Sequence, residues 1–241
     1  MQPIPTADEI LASLRDQANP DNVEGMARYG INPEGTLGVS MPALRDLARD
    51  IKKVSGRKAE GLQARHELAE EIWTSGLHEA RILAALVDVP KLVDRDQMEA
   101  WVADLDSWDV CDQLCLNLFR QTEYAYDVAR DWPDRDEEFV KRAGFVMMAT
   151  LAVHDKQAGG ETFMAMLPVI EQHAFDDRNF VKKSVNWALR QIGKRDMVLN
   201  EAAVTTAEGL AASDSKPARW VGSNAHRELT SEKIRSRLAD L

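Results

Sequence analysis

Apolar residues return every three or four positions along almost the whole chain, and no run alternates strictly enough to predict a strand. Thr6, with Glu9 three positions later, has the pattern of a capping box ahead of Ile10, Leu11 and Leu14. Pro20-Asp21-Asn22 opens a second helix, expected to end near Gly30, and Met41-Pro42 starts a third, with Leu44, Leu47, Ala48 and Ile51 at core spacing. Helical patterns then follow over 60–75, 78–88, 95–105, 107–121, 123–131, 137–154, 161–174, 179–195, 197–213, 217–228 and 231–240. The separators, such as Ser75-Gly76, Val89-Pro90 and Ala158-Gly159-Gly160, are too short to be interdomain linkers. The expectation is a single all-α domain spanning 1–241.

A weak repeat runs through the second half. Phe139-Val140-Lys141-Arg142-Ala143 returns 41 positions later as Phe180-Val181-Lys182-Lys183-Ser184, and Arg190 has a fainter echo at Arg227. Two helices per roughly 40 residues is the spacing of HEAT and armadillo arrays. Such arrays stack into a solenoid with a concave surface.

The 241 residues include 13 Gly and 9 Pro, too few turn formers for a barrel or sandwich, and 44% are hydrophobic, enough for a sizeable core. The most apolar stretch, Phe145 to Val153, is far short of the roughly 20 residues a membrane helix needs. Met1 to Thr6 shows neither a basic nor an apolar leader region, so no secretory signal is expected. Cys111 and Cys115 read as small buried thiols in a reducing compartment, which makes the cytoplasm the expected location. A net charge of −10 speaks against a diffuse grip on nucleic acid but leaves room for a local one.

The cations concentrate in one place. Asn179 to Arg195 holds Lys182, Lys183, Arg190, Lys194 and Arg195 and no acid. At about 100° per residue, Val181, Val185, Ala188, Leu189 and Ile192 gather on one side and Lys183, Trp187, Arg190 and Lys194 on the other. Either Trp187 packs on a neighbouring helix beside a solvated row of cations, or the row lines a groove where cations hold phosphates and the indole meets a sugar or base. Ser107-Trp108-Asp109-Val110-Cys111-Asp112 opens an apolar helix, with Trp108 and Asp112 on one face. Asp109 and Asp112 either answer the positive helix end, with Ser107 as cap, or supply a carboxylate among apolar groups that stabilises a developing cation. Arg142, in an apolar run, either snorkels to solvent or projects beside Lys183. Trp73, Trp101 and Met147-Met148 read as core. The five histidines lack metal-ligand spacing, and no Gly-rich phosphate loop or nucleophile signature is present, so neither metal nor cofactor is expected.

Ser107 to Asp112, taken with Phe180-Val181-Lys182-Lys183-Ser184-Val185-Asn186-Trp187-Ala188-Leu189-Arg190, resembles the AlkD-type DNA alkylation repair glycosylases. Met26-Ala27-Arg28-Tyr29, Leu37-Gly38-Val39-Ser40-Met41-Pro42 and Phe139 to Ala143 extend the resemblance over roughly 20–230. It implies a HEAT-like solenoid, acting as a monomer, whose concave face binds duplex DNA and excises cationic N3- or N7-alkylated purines without a cofactor. It implies that Trp108 and Trp187 contact the lesion deoxyribose and that Asp112 is the catalytic carboxylate. Arg142, Lys183, Arg190, Lys194, Phe180, Tyr29 and Ser40 fall at DNA-face positions. Two departures stand out: Ser107 replaces a second aromatic, and Asn32-Pro33-Glu34-Gly35 is more polar than its counterpart. Two alternatives remain beside the glycosylase: a silent HEAT-like protein that binds branched or distorted DNA, and a helical scaffold for proteins.

Overall fold

The computed structural model describes residues 3–240; Met1 and Gln2, where the expected absence of a leader begins, and Leu241 lie outside them. Every regular element among the described residues is helical, as the periodicity predicts. The chain groups into two compact units, 1–123 and 124–241.

The first unit contains α1 (Ala7–Asp16), α2 (Pro20–Ala27), α3 (Met41–Ser55), α4 (Ala59–Trp73), α5 (His78–Val87), α6 (Arg95–Ala103) and α7 (Trp108–Asn117). Thr6 and Glu9 form the expected reciprocal capping box, which satisfies two of the N–H groups that a helix start leaves open. Ile10, Leu14, Leu44, Ile51, Ile72, Leu83 and Leu114 are fully buried. Trp73 and Trp101 are core residues, stacked with ring centroids 4.1 Å apart. Cys111 and Cys115 are buried free thiols.

The second unit contains α8 (Ala125–Asp131), α9 (Glu138–His154), α10 (Gly160–Met164), α11 (Leu167–His173), α12 (Asn179–Ile192), α13 (Met197–Ala211), α14 (Lys216–Leu229) and α15 (Glu232–Ala239). Helix α9 is apolar on nearly every side, Met147 and Met148 included, because α8, a 3₁₀ turn at Trp132–Asp134 and α12 all pack on it. Gly222 sets how closely α14 crosses α13: a Cβ there would lie 2.4 Å from the Ala211 nitrogen. Contacts from α12 to α14 keep one separation along both helices, since Lys182 meets Trp220 and Arg190 meets Glu228, each 38 residues on. A constant separation requires parallel helices, so α12 and α14 are successive equivalent members of the repeat. Arg190 thus meets Glu228 and not its weak sequence echo, Arg227.

Three expected helices are shortened for local reasons. The 161–174 pattern divides into α10 and α11 because Pro168 supplies no N–H to continue the ladder from Met164. The 107–121 pattern leaves helical geometry at Leu118 and finishes in a 3₁₀ turn, Phe119–Gln121. Gly193 caps α12, so Lys194 and Arg195 lie just past its end. No helix among the described residues is long and apolar enough to cross a membrane.

Candidate nucleic-acid interface

In the first unit, residues 29–39 are tied to the starts of α5 and α7 by hydrogen bonds at every few positions. The Trp108 indole Nε1 donates to the Tyr29 carbonyl at 3.1 Å. His78 N–H donates to the Gly35 carbonyl. The buried Glu79 carboxylate accepts from three consecutive backbone N–H groups, Leu37 at 2.8 Å, Gly38 at 2.6 Å and Val39 at 3.2 Å. Gly38 has φ +81°, and a Cβ there would lie 2.2 Å from the Asn19 carbonyl oxygen, so only glycine fits. Tyr29 itself projects, 77% exposed. Ser40 is exposed and caps α3, its hydroxyl accepting from Ala43 N–H at 3.4 Å.

Ser107 occupies the cap position of α7 but does not cap it with its side chain. Its fully buried hydroxyl instead accepts the Asn32 N–H at 2.9 Å, while Asn32 Nδ2 donates to Asp106 at 2.6 Å. Ser107 and the polar segment that begins at Asn32, the two departures noted in the sequence, thus meet in these hydrogen bonds. Trp108 and Asp112 follow one helical turn apart, both partly buried.

Asp109 lies in the first turn of α7, as a charge answering the helix end would, and has a partner of its own. It meets buried His78, with Nε2 2.9 Å from Oδ2. Burial opposes protonation of His78, but the Asp109 hydrogen bond and the charges of Asp109, Glu79 and Asp106 outweigh it and hold the imidazole above its ordinary range. A raised folded value means that this stabilisation is complete below the unfolded pKa of about 6.5 and is lost as pH rises through the folded value. His78→Gln is expected to cost about 1–3 kcal/mol at pH near 5.5, the scale of leaving a buried polar group badly paired, and progressively less in alkaline buffer. Urea unfolding of both proteins across that range checks this; a pH-independent difference would remove the charged pair. Neither His78 nor Glu79 was signalled by spacing, because both act on segments tens of residues away.

In the second unit, α12 divides as its periodicity predicts. Val181, Val185, Ala188, Leu189 and Ile192 are buried, Lys183 is exposed, and Trp187 and Arg190 are partly buried. Two cations of the row are already engaged. Arg190 and Lys194 both bind the Glu228 carboxylate of α14, Lys194 Nζ at 2.7 Å. Burial would raise Glu228, but its hydrogen bonds from Lys194 and Arg190 and their charges hold it below the usual carboxylate range. With its amide oxygen turned toward the donors, Gln191 accepts from Trp187 Nε1 at 2.9 Å and Lys194 Nζ at 3.2 Å. The indole is thus fixed by its edge nitrogen. Arg142 neither snorkels to solvent nor projects beside Lys183: it is 5% exposed, and its guanidinium donates to the Phe180 carbonyl at 2.7 Å. Among the described residues, no three His, Cys, Asp or Glu side chains are grouped to hold a metal ion.

Residues 10–229 match the family model of the DNA alkylation repair enzymes. The chain belongs to that family. Its members work in DNA repair, and DNA is accordingly the partner of this DNA alkylation repair family protein. A solved structure, from a new family of proteins related to the HEAT-like repeat DNA glycosylases with affinity for branched DNA structures, covers 97% of this chain and 96% of its own, at TM-score 0.76 and 20% identity. That likeness gives the protein the HEAT-like repeat fold. An engineered protein aligns over 79% of this chain and 93% of its own, at TM-score 0.39 and 12% identity. No curated protein matches the sequence.

Proposed function

We propose that this protein is a monofunctional DNA glycosylase that hydrolyses the N-glycosidic bond of cationic N3- or N7-alkylated purines in duplex DNA, acting as a cytoplasmic monomer. The observation that carries the reading is the N-terminal part of α7, where Trp108 and Asp112 share one face of a helix whose start is anchored by His78, Tyr29 and Asn32. Alkylation leaves the purine positively charged, so cleavage of the bond releases a neutral base and moves positive charge onto the sugar. The Asp112 carboxylate would stabilise that oxocarbenium-like species and orient the water that adds at C1′. The Trp108 indole would contribute about 0.5–2 kcal/mol of cation–π attraction to that charge, and Trp187 is the second unit's candidate for contact with the lesion sugar. In the second unit, Lys183, Arg190 and Lys194 would hold backbone phosphates beside Phe180, whose carbonyl Arg142 binds; in the first unit, Tyr29 and Ser40 would meet the DNA.

Release of free alkylated purine from methylated duplex DNA tests the activity, and DNA returned with no base released would overturn it. The exposed Lys183 gives a separate test of the binding face. Lys183→Ala should weaken damaged and undamaged duplexes alike and flatten the log–log salt dependence by about 0.9, one phosphate contact. A slope unchanged by the substitution would assign Lys183 to solvent.

A second reading, binding of branched or distorted DNA without excision, is favoured by Ser107, which turns a position suited to an aromatic into an anchor for Asn32. The structural relative's affinity for branched DNA points the same way. Tighter binding to a three-way junction than to a methylated duplex, with no base release, would select it. Family membership points away from the protein scaffold.

A further inference from the structure

Trp220 is the only exposed tryptophan among the described residues. It lies in the second turn of α14 and is 41% exposed, an uneconomical place for an indole with only a packing role. The ammonium of Lys182 stands 5.2 Å from its ring centroid. Exposed Lys183 is next to Lys182 on α12, and exposed Lys216 and Arg219 precede Trp220 on α14. Arg219 also donates to the Ser213 carbonyl, which steadies the turn that leads into α14. Lys182 and Lys183 are not tied to a carboxylate among the described residues, whereas Arg190 and Lys194, two turns further along, share Glu228. The parallel register of α12 and α14 puts Trp220 at one end of this pair of helices and the two cations that share Glu228 at the other.

We propose that Trp220 and Lys182 form a stacking step for an unpaired nucleobase, distinct from the indoles assigned to the lesion sugar. The inference rests on the reading of α12 as a DNA-binding element. An indole face offers a base the same dispersion and quadrupole contact that it now offers the Lys182 ammonium. A base arriving on the ring displaces that ammonium, which is then free to meet the phosphate of the same nucleotide or its neighbour, with Lys183 and Arg219 at hand for the phosphates on either side. Only a base outside the helical stack presents a free face, so the step favours DNA that carries a bulge, a flap or a junction over intact duplex. A protein partner for the same surface would need to be acidic, and it would not discriminate among DNA structures.

Equilibrium binding of the full chain to undamaged duplexes, one intact and one with a single-base bulge, tests the step. Trp220→Ala should lower affinity for the bulged duplex about tenfold, the scale of one lost base–aromatic stack, and leave the intact duplex unchanged. Trp220→Phe should recover most of the loss, since a smaller ring still stacks. The difference in tryptophan emission between wild type and Trp220→Phe should show quenching on the bulged duplex alone. Wild-type affinity of a folded Trp220→Ala for the bulged duplex would overturn the proposal, as would an equal loss on both duplexes. Base release by the same variants keeps the two readings apart. Excision with no Trp220-dependent preference rejects the stacking step alone; a Trp220-dependent preference without excision rejects the glycosylase and retains the step.

Discussion

Asp112→Asn is expected to slow single-turnover excision of an alkylated purine about 10²-fold or more, the scale of removing one preorganised electrostatic stabiliser. The substitution keeps the shape and most hydrogen-bonding capacity of the side chain and removes only its charge. That charge matters chiefly when the sugar becomes cationic, so DNA affinity should hold or rise slightly as one anion leaves a phosphate-binding surface. The competing assignment makes Asp112 a partner of the α7 helix end, in which case Asn costs a few tenths to about 1 kcal/mol of stability and nothing in rate. Excision rate set against melting temperature separates the two. A normal rate with a lowered melting temperature would place Asp112 in the scaffold and leave the glycosylase without its carboxylate.

Glu228→Gln should have the opposite character, strengthening DNA binding. In the free protein Glu228 answers both Arg190 and Lys194, so DNA gains those cations only by displacing a carboxylate. Removing its charge leaves one more net positive charge on the row for phosphates and should steepen the log–log salt dependence by about one contact, roughly 0.9 in slope. Over a fourfold range of salt, the variant's affinity should therefore fall about threefold further than that of the wild type, with tighter binding at the low end. The stability lost with two partly exposed ion pairs is small, about 0–1 kcal/mol each. Fluorescence anisotropy across a salt series checks the slope. An unchanged slope would mean that Arg190 and Lys194 serve only to join α12 to α14.

The contrast between Lys183 and Arg190 shows how far the sequence carries. Helical period alone separates Val181, Val185, Ala188, Leu189 and Ile192 from the cationic row, because burial on one helix follows from its own spacing. Glu228 is invisible to that argument: it reaches the row from a helix 38 residues on, and only the repeat register brings it there. Ser107 is a similar case. Its place before an apolar helix matches a cap, yet a stronger claim on its hydroxyl comes from Asn32, a backbone donor 75 residues away. The division of 161–174 was accessible in principle, since Pro168 stands inside the pattern, but the apolar spacing continues across it. Local chemistry identified the helices that carry candidate groups; which of those groups are already spoken for depends on tertiary partners.

The Glu79 carboxylate, closed over the amides of Leu37, Gly38 and Val39, has a thermodynamic consequence for whatever meets Tyr29 and Ser40. Segments that fold on contact with a ligand lose chain entropy at that moment, and this shows as weaker affinity and a large negative heat capacity of binding. Here the loss is taken during folding, since a buried anion and a glycine that admits no side chain already tie down the turn. Association through Tyr29 and Ser40, the contact proposed above, is accordingly expected to be a rigid-body event, with a heat capacity set by the surface it covers.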